Sequence, residues 1–509
     1  MQTDVVVIGS GIGGLSCGAL LAKYGFRVIV CESHSIPGGA AHSFTRQGFR
    51  FDSGPSLHSG LSYSPSTNPL RQVLDIIDED LDCATYDTWG CCLPEGDFNT
   101  TVGAEQFCEI LTQLRGDKAV AEWRKLQEVM QHLSQAAIAL PPAGLRYDFG
   151  AVITMGRFIP ALLQHGLSIS KITGAFSDVM DDFIQDPFIR NWLNLLCFLL
   201  SGLPASGTSA AEMAFMFAEW YKPGVVLDYP IGGSGAIVDA LIRGLKKYGG
   251  KLILNAHVEK ILVENKRAVG VCLRNGEEIR ASKAVVSNAS IWDTLKLLPS
   301  YALPESFQQQ RQQTPQCESF MHLHLGIDAK DIRSDLACHY IVVNDWEKGI
   351  AATQNAILIS IPSVLDPSLA PPGKHAIHVY TPGNEPYSIW KGMNRKSTEY
   401  LQQKQRRSQV MWQALERIIP DIRYRCELNL VGTPLTQERY LRRDRGTYGP
   451  AISADKGIFP SSRTPLSGLL CCGDSTFPGI GLPAVAASGM ISANTLASVK
   501  QHWKMLDIL

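Results

Sequence analysis

The chain has 509 residues, of which 45% are hydrophobic and 19% charged, with a formal net charge of -1. That length exceeds the roughly 250–300 residues at which a single core stops growing, so two domains are expected, and the composition excludes a disordered chain. The balanced charge leaves no basic surface for nucleic acid and no polybasic membrane anchor.

The 13 cysteines form no CxxC pair and no zinc-spaced Cys/His set. Met1 to Asp4 run directly into an apolar strand without a secretory leader, so reduced thiols and an intracellular location are expected. Cys91-Cys92 and Cys471-Cys472 read as small core residues. No apolar run reaches the roughly 20 residues of a membrane span; Trp192 to Leu203, broken by Asn194, comes nearest.

In chain order, Asp4 to Ile8 predicts a buried parallel strand. It enters the turn Gly9-Ser10-Gly11-Ile12-Gly13-Gly14, a helix follows to about Gly25, and the strand Arg27 to Cys31 ends at Glu32. Glycines at 9, 11 and 14 permit a tight turn, close backbone approach to a pyrophosphate and close helix–strand packing. The helix N-terminus offers free N–H groups to that anion, and Glu32 can accept hydrogen bonds from an adenosine ribose. This succession predicts a dinucleotide site without choosing between FAD and a nicotinamide cofactor. A second glycine turn, Ile36-Pro37-Gly38-Gly39-Ala40-Ala41, comes next.

Residues 76–224 read as mostly helical and rich in large apolar side chains, notably in Phe149 to Leu167 and Trp192 to Leu203. Such segments are core, or else a greasy channel mouth resting on a membrane surface. Tyr229 to Gly235 then precedes an amphipathic helix, Ala236 to Tyr248, stopped by Gly249-Gly250. Strands are expected at Lys251 to Leu254 and at His257 to Val263, whose Val258 is counted with the cofactor residues. Asn275-Gly276 signals a hairpin, and Ala284 to Ala289 returns as a buried strand.

Farther on, Phe320 to Leu325 and His375 to Tyr380 alternate as strands. His322 and His324 share a face, but without an acidic or cysteine ligand at a familiar spacing no metal site is expected. Arg439, Arg442, Arg443 and Arg445 read as a solvated face that can flank a pocket. Neither a G-x-S-x-G elbow nor a P-loop occurs. Near the end, Gly468 to Cys472 predicts a strand running into Gly473-Asp474, then Pro478-Gly479-Ile480-Gly481 and a helix from about Pro483 to Ala497. Asp474, at a strand's carboxyl end, can bind ribityl hydroxyls, or simply cap a turn. Glycine turns at both ends of so long a chain favour FAD, the longer cofactor.

The expected class is therefore α/β: a Rossmann-like FAD-binding domain from 1–75, 225–295 and 460–509, and a discontinuous α+β substrate domain from 76–224 and 296–459.

Several motifs in order resemble the bacterial-type carotenoid desaturases and the carotenoid cis–trans isomerases. They are Val7 to Gly14, Ile36 to Gly39, Phe51-Asp52-Ser53-Gly54, Tyr229 to Gly233, Ser287-Asn288-Ala289, Arg439-Tyr440-Leu441, Gly446 to Pro450 and Gly473-Asp474-Ser475. The resemblance implies an amine-oxidase-like architecture, non-covalent FAD, a hydrophobic polyene substrate and a peripheral place at a cytoplasmic or thylakoid membrane surface. It also implies that Gly473, Asp474 and Gly481 line the isoalloxazine and that Ser53 and Gly54 lie near the cofactor. Cys31 to His34, Ala40 to Phe44 and Tyr86 to Gly90 look closer to the cyanobacterial-type C-3',4' desaturases. Desaturation, with a quinone as electron acceptor, is thus the first expectation. The alternative is a prolycopene-type cis–trans isomerase using reduced FAD; amine oxidases and non-catalytic prenyl-protein escorts are the other classes. No catalytic residue is assigned; His58, Arg439 and Asp474 are the polar groups to mutate first.

Overall fold

Val5, Val6 and Val7 are fully buried, as a strand covered on both faces requires. In the computed structural model, which describes residues 1–54, 56–160, 163–164 and 172–509, they belong to Gln2–Ile8, inside a seven-stranded sheet. Gln2–Ile8 pairs in parallel with Val28–Cys31 on one side and Glu278–Ser287 on the other. Lys251–Ile253 extends the sheet beyond Val28–Cys31. Glu278–Ser287 is shared: its start pairs antiparallel with Arg267–Leu273, and Val285 to Ser287 pair in parallel with Leu469–Cys471. The antiparallel hairpin Val258–Glu264 and Arg267–Leu273 completes it. The turn at Asn275-Gly276 forms as expected, with Gly276 at φ +85°.

Helix Ile12–Lys23 packs against Leu482–Leu496 and Ser234–Lys247. The last begins two residues earlier than the apolar periodicity suggests, because the Ser234 N–H donates to Asp52 Oδ1 at 2.9 Å and satisfies one of the first-turn donors.

A second seven-stranded sheet has the order Cys426–Gly432, Ser319–Asp328, Lys374–Glu385, Ala356–Ser360, His339–Val343, Thr88–Leu93, Gly96–Thr101. Strand alternation sends Leu323, Leu325, Ile377 and Val379 into a core with Met411, Trp412 and Leu415 of helix Thr398–Glu416. The intervening His322, His324 and His378 belong to the opposite face, where His324 meets Phe44, Phe51 and the Asp52 carbonyl of the hairpin Ser43–Arg46/Phe49–Asp52.

Helices Ala104–Arg115, Asp117–Ile138, Pro187–Ser201 and Ala210–Trp220 close over a cluster containing Trp89, Phe107, Trp123, Trp192 and Phe198. The two apolar stretches of this region therefore divide. Trp192, Leu195, Leu196 and Phe198 are core, whereas Phe149 is 97% and Val152 79% exposed beside helix Gly150–Met155. Within the Phe149 to Leu167 stretch, 161–162 and 165–167 lie outside the described residues. Among the described residues no helix is long and apolar enough to cross a membrane.

Candidate functional site

A cavity of about 760 Å³ runs from the N-terminal glycine turns to the antiparallel sheet and the helices above it. At one end the strand–turn–helix unit builds its wall. Gly11 is the N-cap of Ile12–Lys23 and supplies no side-chain cap, which leaves first-turn N–H groups for an anion. Space around the turn is fully used. A methyl at Gly14 would stand 2.2 Å from the Gly9 carbonyl; one at Gly13 would stand 2.8 Å from Asn288 Oδ1 and 2.9 Å from the Val485 carbonyl. The turn and the C-terminal helix thus close on Asn288, which follows strand Glu278–Ser287 and also faces Gly11 and Gly473.

Glu32 is held for the task its position suggests. The Ser10 N–H and hydroxyl donate to Oε2 at 2.9 and 2.6 Å, and the His34 N–H donates to Oε1 at 2.7 Å. The Ser33 hydroxyl, at 3.3 Å from Oε1, is the fourth and longest donor, so of about four acceptor positions on the carboxylate this is the one a ribose hydroxyl can take over. Val258 and His257 stand at the same end of the cavity.

At the other end, Gly473 at φ +95° turns the chain out of Leu469–Cys471, and its N–H donates to Ser488 Oγ at 2.7 Å. Asp474 lines the cavity and is paired with Arg443, whose Nη2 also donates to the Tyr448 carbonyl at 2.8 Å. Gly481 begins Leu482–Leu496, again without a side-chain cap. Ser53 bridges toward the second glycine turn, its hydroxyl donating to the Ala40 carbonyl at 3.1 Å; Gly54 lies so close to that carbonyl that a methyl would be 2.3 Å from it.

Beyond these polar walls the cavity continues between Leu199, Leu200, Met216, Trp220 and Leu358. His58 and His322 look onto this arm. Burial lowers His58 to about 4 and puts His322 well below the usual histidine range, so both stay neutral near pH 7.

Of the residues expected to hold cofactor, Gly9, Gly11, Gly13, Glu32, Gly38, Gly39, Ser53, Gly54, Val258, Gly473, Asp474 and Gly481 line this one cavity. Ser10 and Gly14 stand behind the wall: Ser10 positions Glu32, and Gly14 lets the helix approach the Gly9 carbonyl. His58 and Asp474 reach the cavity, while exposed Arg439 packs its guanidinium over Tyr440 at 5.4 Å instead. From the arginine cluster, Arg442 and Arg443 line the wall. Sequence reading missed Asn288 as a site residue, although Ser287-Asn288-Ala289 was visible as a motif. It also missed the Arg443–Asp474 pair, which no spacing announces.

The residues fit an FAD. Two uncapped helix N-termini, a glycine cradle that methyl groups would fill and an oriented ribose-type carboxylate open onto one cavity. In comparison with known proteins, the sequence pattern of the flavin containing amine oxidoreductases matches residues 12–497. The chain is 32% identical to a chloroplastic prolycopene isomerase of Daucus carota, over 99% of this chain and 82% of that protein. It is 26% identical to a lycopene-forming phytoene desaturase of Pseudescherichia vulneris, over 96% of this chain and 98% of that one. A putrescine oxidase bound to putrescine, 16% identical, shares the fold with a TM-score of 0.63, covering 97% and 98% of the two chains. Since the family pattern spans both glycine-bearing ends of the cofactor sheet, the chain belongs to the flavin-containing amine oxidoreductases and is an FAD-dependent enzyme.

Proposed function

We propose that the protein is a carotenoid cis–trans isomerase that uses reduced FAD. The observation that carries this reading is the joining of the cofactor cradle and a long apolar arm in one cavity, where a polyene can lie against a flavin. The resemblance to prolycopene isomerases, stronger than that to phytoene desaturases, favours isomerisation over the desaturation first expected from the sequence. Desaturation remains the second reading, favoured by the match over nearly the whole length of a phytoene desaturase, with the C-3',4' position resting on the resemblance of Cys31 to His34, Ala40 to Phe44 and Tyr86 to Gly90.

Bound flavin supplies the electron or hydride chemistry. The chain's residues bind and shield. Glu32 accepts from the adenosine ribose, and the Gly9 to Gly14 turn and the start of Ile12–Lys23 receive the pyrophosphate. Asp474 receives ribityl hydroxyls, and Gly481 lets the second helix N-terminus face the ring. Leu199, Leu200, Met216 and Trp220 exclude water from the polyene. With His58 and His322 neutral, neither imidazole places a fixed charge beside it. In this reading the cofactor domain comprises 1–75, 225–295 and 460–509, with 76–224 and 296–459 forming the substrate domain.

Substrate delivery follows from Phe149, Val152, Ile153, Ile159 and Leu163, each more than half exposed. Such a patch dips into a lipid interface, where carotenoids and quinones reside, so the protein works at a membrane surface and a quinone accepts electrons in the desaturase reading. The deciding experiment supplies FAD-loaded protein with liposomes carrying poly-cis and all-trans carotenes plus a quinone, and separates the products by chromatography and mass. Unchanged mass, formed only with reduced flavin, establishes the isomerase. A product two hydrogens lighter with reduced quinone establishes the desaturase, and the absence of both overturns the polyene reading.

A further inference from the structure

In open α/β sheets ligands gather at the carboxyl ends of the parallel strands, and one side-chain amide stands there in this chain. Asn288 directly follows strand Glu278–Ser287, and its backbone N–H donates at 2.9 Å to the carbonyl of Ile8, the last residue of the neighbouring strand Gln2–Ile8. Its backbone is thereby fixed beside the first glycine turn. With Gly9, Gly11 and Gly13 it lines the cavity.

The side chain is oriented. Its Oδ1 accepts from the Cys472 thiol at 3.6 Å, and methyl groups on Gly13 and Gly473 would stand 2.8 and 2.7 Å from that oxygen. The thiol donor assigns oxygen to that side of the amide and nitrogen to the other. Nδ2 then faces the turn, 2.7 Å from where a methyl on Gly11 would lie and 3.7 Å from one on Gly9. Among the described residues nothing accepts a hydrogen bond from Nδ2.

Gly11 shows what that nitrogen borders. Its φ of -61° is open to any residue, so backbone conformation does not require glycine there. Nor does crowding by the rest of the fold: chain neighbours aside, Asn288 supplies every described atom that a methyl would meet within 4 Å. The second glycine of such a turn lacks a side chain so that a pyrophosphate can approach the backbone. Nδ2 therefore borders the space the pyrophosphate enters. The uncapped start of Ile12–Lys23 supplies backbone donors to that space, and Asn288 adds a side-chain donor from the adjoining strand.

We propose that Asn288 Nδ2 donates a hydrogen bond to a pyrophosphate oxygen of FAD, and that the Cys472 thiol, by holding Oδ1, keeps the nitrogen turned toward it. The assignment rests on the pyrophosphate lying at the Gly9 to Gly14 turn, and it is independent of the polyene. Donors to an ionised acceptor form the stronger kind of hydrogen bond. Because Glu278–Ser287 pairs with both Gln2–Ile8 and Leu469–Cys471, the contact also ties bound cofactor to the strand that joins the two ends of the chain.

The test measures FAD released from diluted holoprotein, by its fluorescence, for wild type, Asn288→Ala, Asn288→Asp and Gly14→Ala at about pH 8, where an aspartate is ionised. Aspartate has the shape of asparagine and keeps the acceptor for Cys472, but it puts an anionic oxygen where the donor stood. A donor to pyrophosphate therefore weakens FAD binding about tenfold in Asn288→Ala and about a hundredfold in Asn288→Asp. A side chain that only fills space gives the reverse order, with Asn288→Asp near wild type and Asn288→Ala weaker. That order, or equal constants for the two variants, would overturn the proposal. Gly14→Ala reports on the place of the pyrophosphate. If it holds FAD as wild type does, the placement fails and the proposal with it. Weak binding in Gly14→Ala beside wild-type binding in Asn288→Asp leaves the placement intact and overturns the role of Asn288 alone. No readout involves a carotenoid, so failure of the polyene reading stays distinct. Should Asn288→Asp fail to fold, Gly11→Ala with and without Asn288→Ala decides. Affinity regained in the double variant would mean that the methyl met only the amide, and would overturn the donor; affinity no higher than in Gly11→Ala supports it.

Discussion

Gly14 and Glu32 govern the cofactor in different ways. A methyl at position 14 meets a backbone carbonyl that cannot rotate aside, so Gly14→Ala forces the turn away from the helix. Overpacking of this kind costs about 1–3 kcal/mol, and purified Gly14→Ala protein is expected to carry markedly less flavin per chain, read from its absorption. Glu32→Gln keeps the volume but exchanges a charged acceptor for a neutral one. With a hydrogen bond to a charged group worth about 1.5–3 kcal/mol, FAD affinity should drop roughly tenfold or more by titration, without loss of fold. Both residues were legible in the sequence because their roles are local: the turn, the helix and the acid follow one another within 30 residues. Asn288 was not: it acquires its role only when Gly11, Gly13 and Gly473 converge on it.

Among the elements, the burial of helix Gly150–Met155 runs against its composition. Phe149, Val152 and Ile153 face outward, whereas equally apolar Pro187–Ser201 is sealed beneath neighbouring helices. Composition alone does not separate these cases, since a greasy helix is core or interface according to what packs over it. A Phe149→Asp/Val152→Asp double variant is expected to keep its flavin and its melting temperature, because those side chains touch water already, yet to stop co-floating with liposomes. Retained flotation would remove this helix from the membrane contact. Strand identity was easier to read than strand limits. Lys374–Glu385 runs well past the alternating segment seen at His375 to Tyr380, because pairing with Ser319–Asp328 supplies backbone partners that no side-chain pattern records.

For the whole molecule, buried imidazoles tie stability to pH. Burial lowers His58 and His324 to about 4 and His339 to about 3, whereas an unfolded histidine titrates near 6.5. Between those values the unfolded chain binds more protons, so the contribution is complete above pH 6.5, is lost progressively as pH falls toward the folded values, and has dropped by roughly 2 kcal/mol per histidine at pH 5. Asp52 acts in the opposite sense, since burial raises its carboxyl and acidification favours its folded, neutral form. The melting temperature is expected to fall from pH 7 to pH 5, and His339→Gln should flatten that descent. A flat profile in the wild type would contradict neutral burial of these rings.

Strand Glu278–Ser287 takes Gln2–Ile8 on one side and Leu469–Cys471 on the other, and helix Leu482–Leu496 lies against the first glycine turn. During synthesis this imposes a timetable. The turn leaves the ribosome among the first residues, yet the surface that closes over it is translated some 470 residues later. Until then the nascent chain exposes an unfinished sheet edge and an apolar helix face, the surfaces on which chaperones act. Flavin capture is therefore a late, post-translational event, and messages truncated upstream of Leu469 should yield chains that aggregate or are degraded before they ever turn yellow.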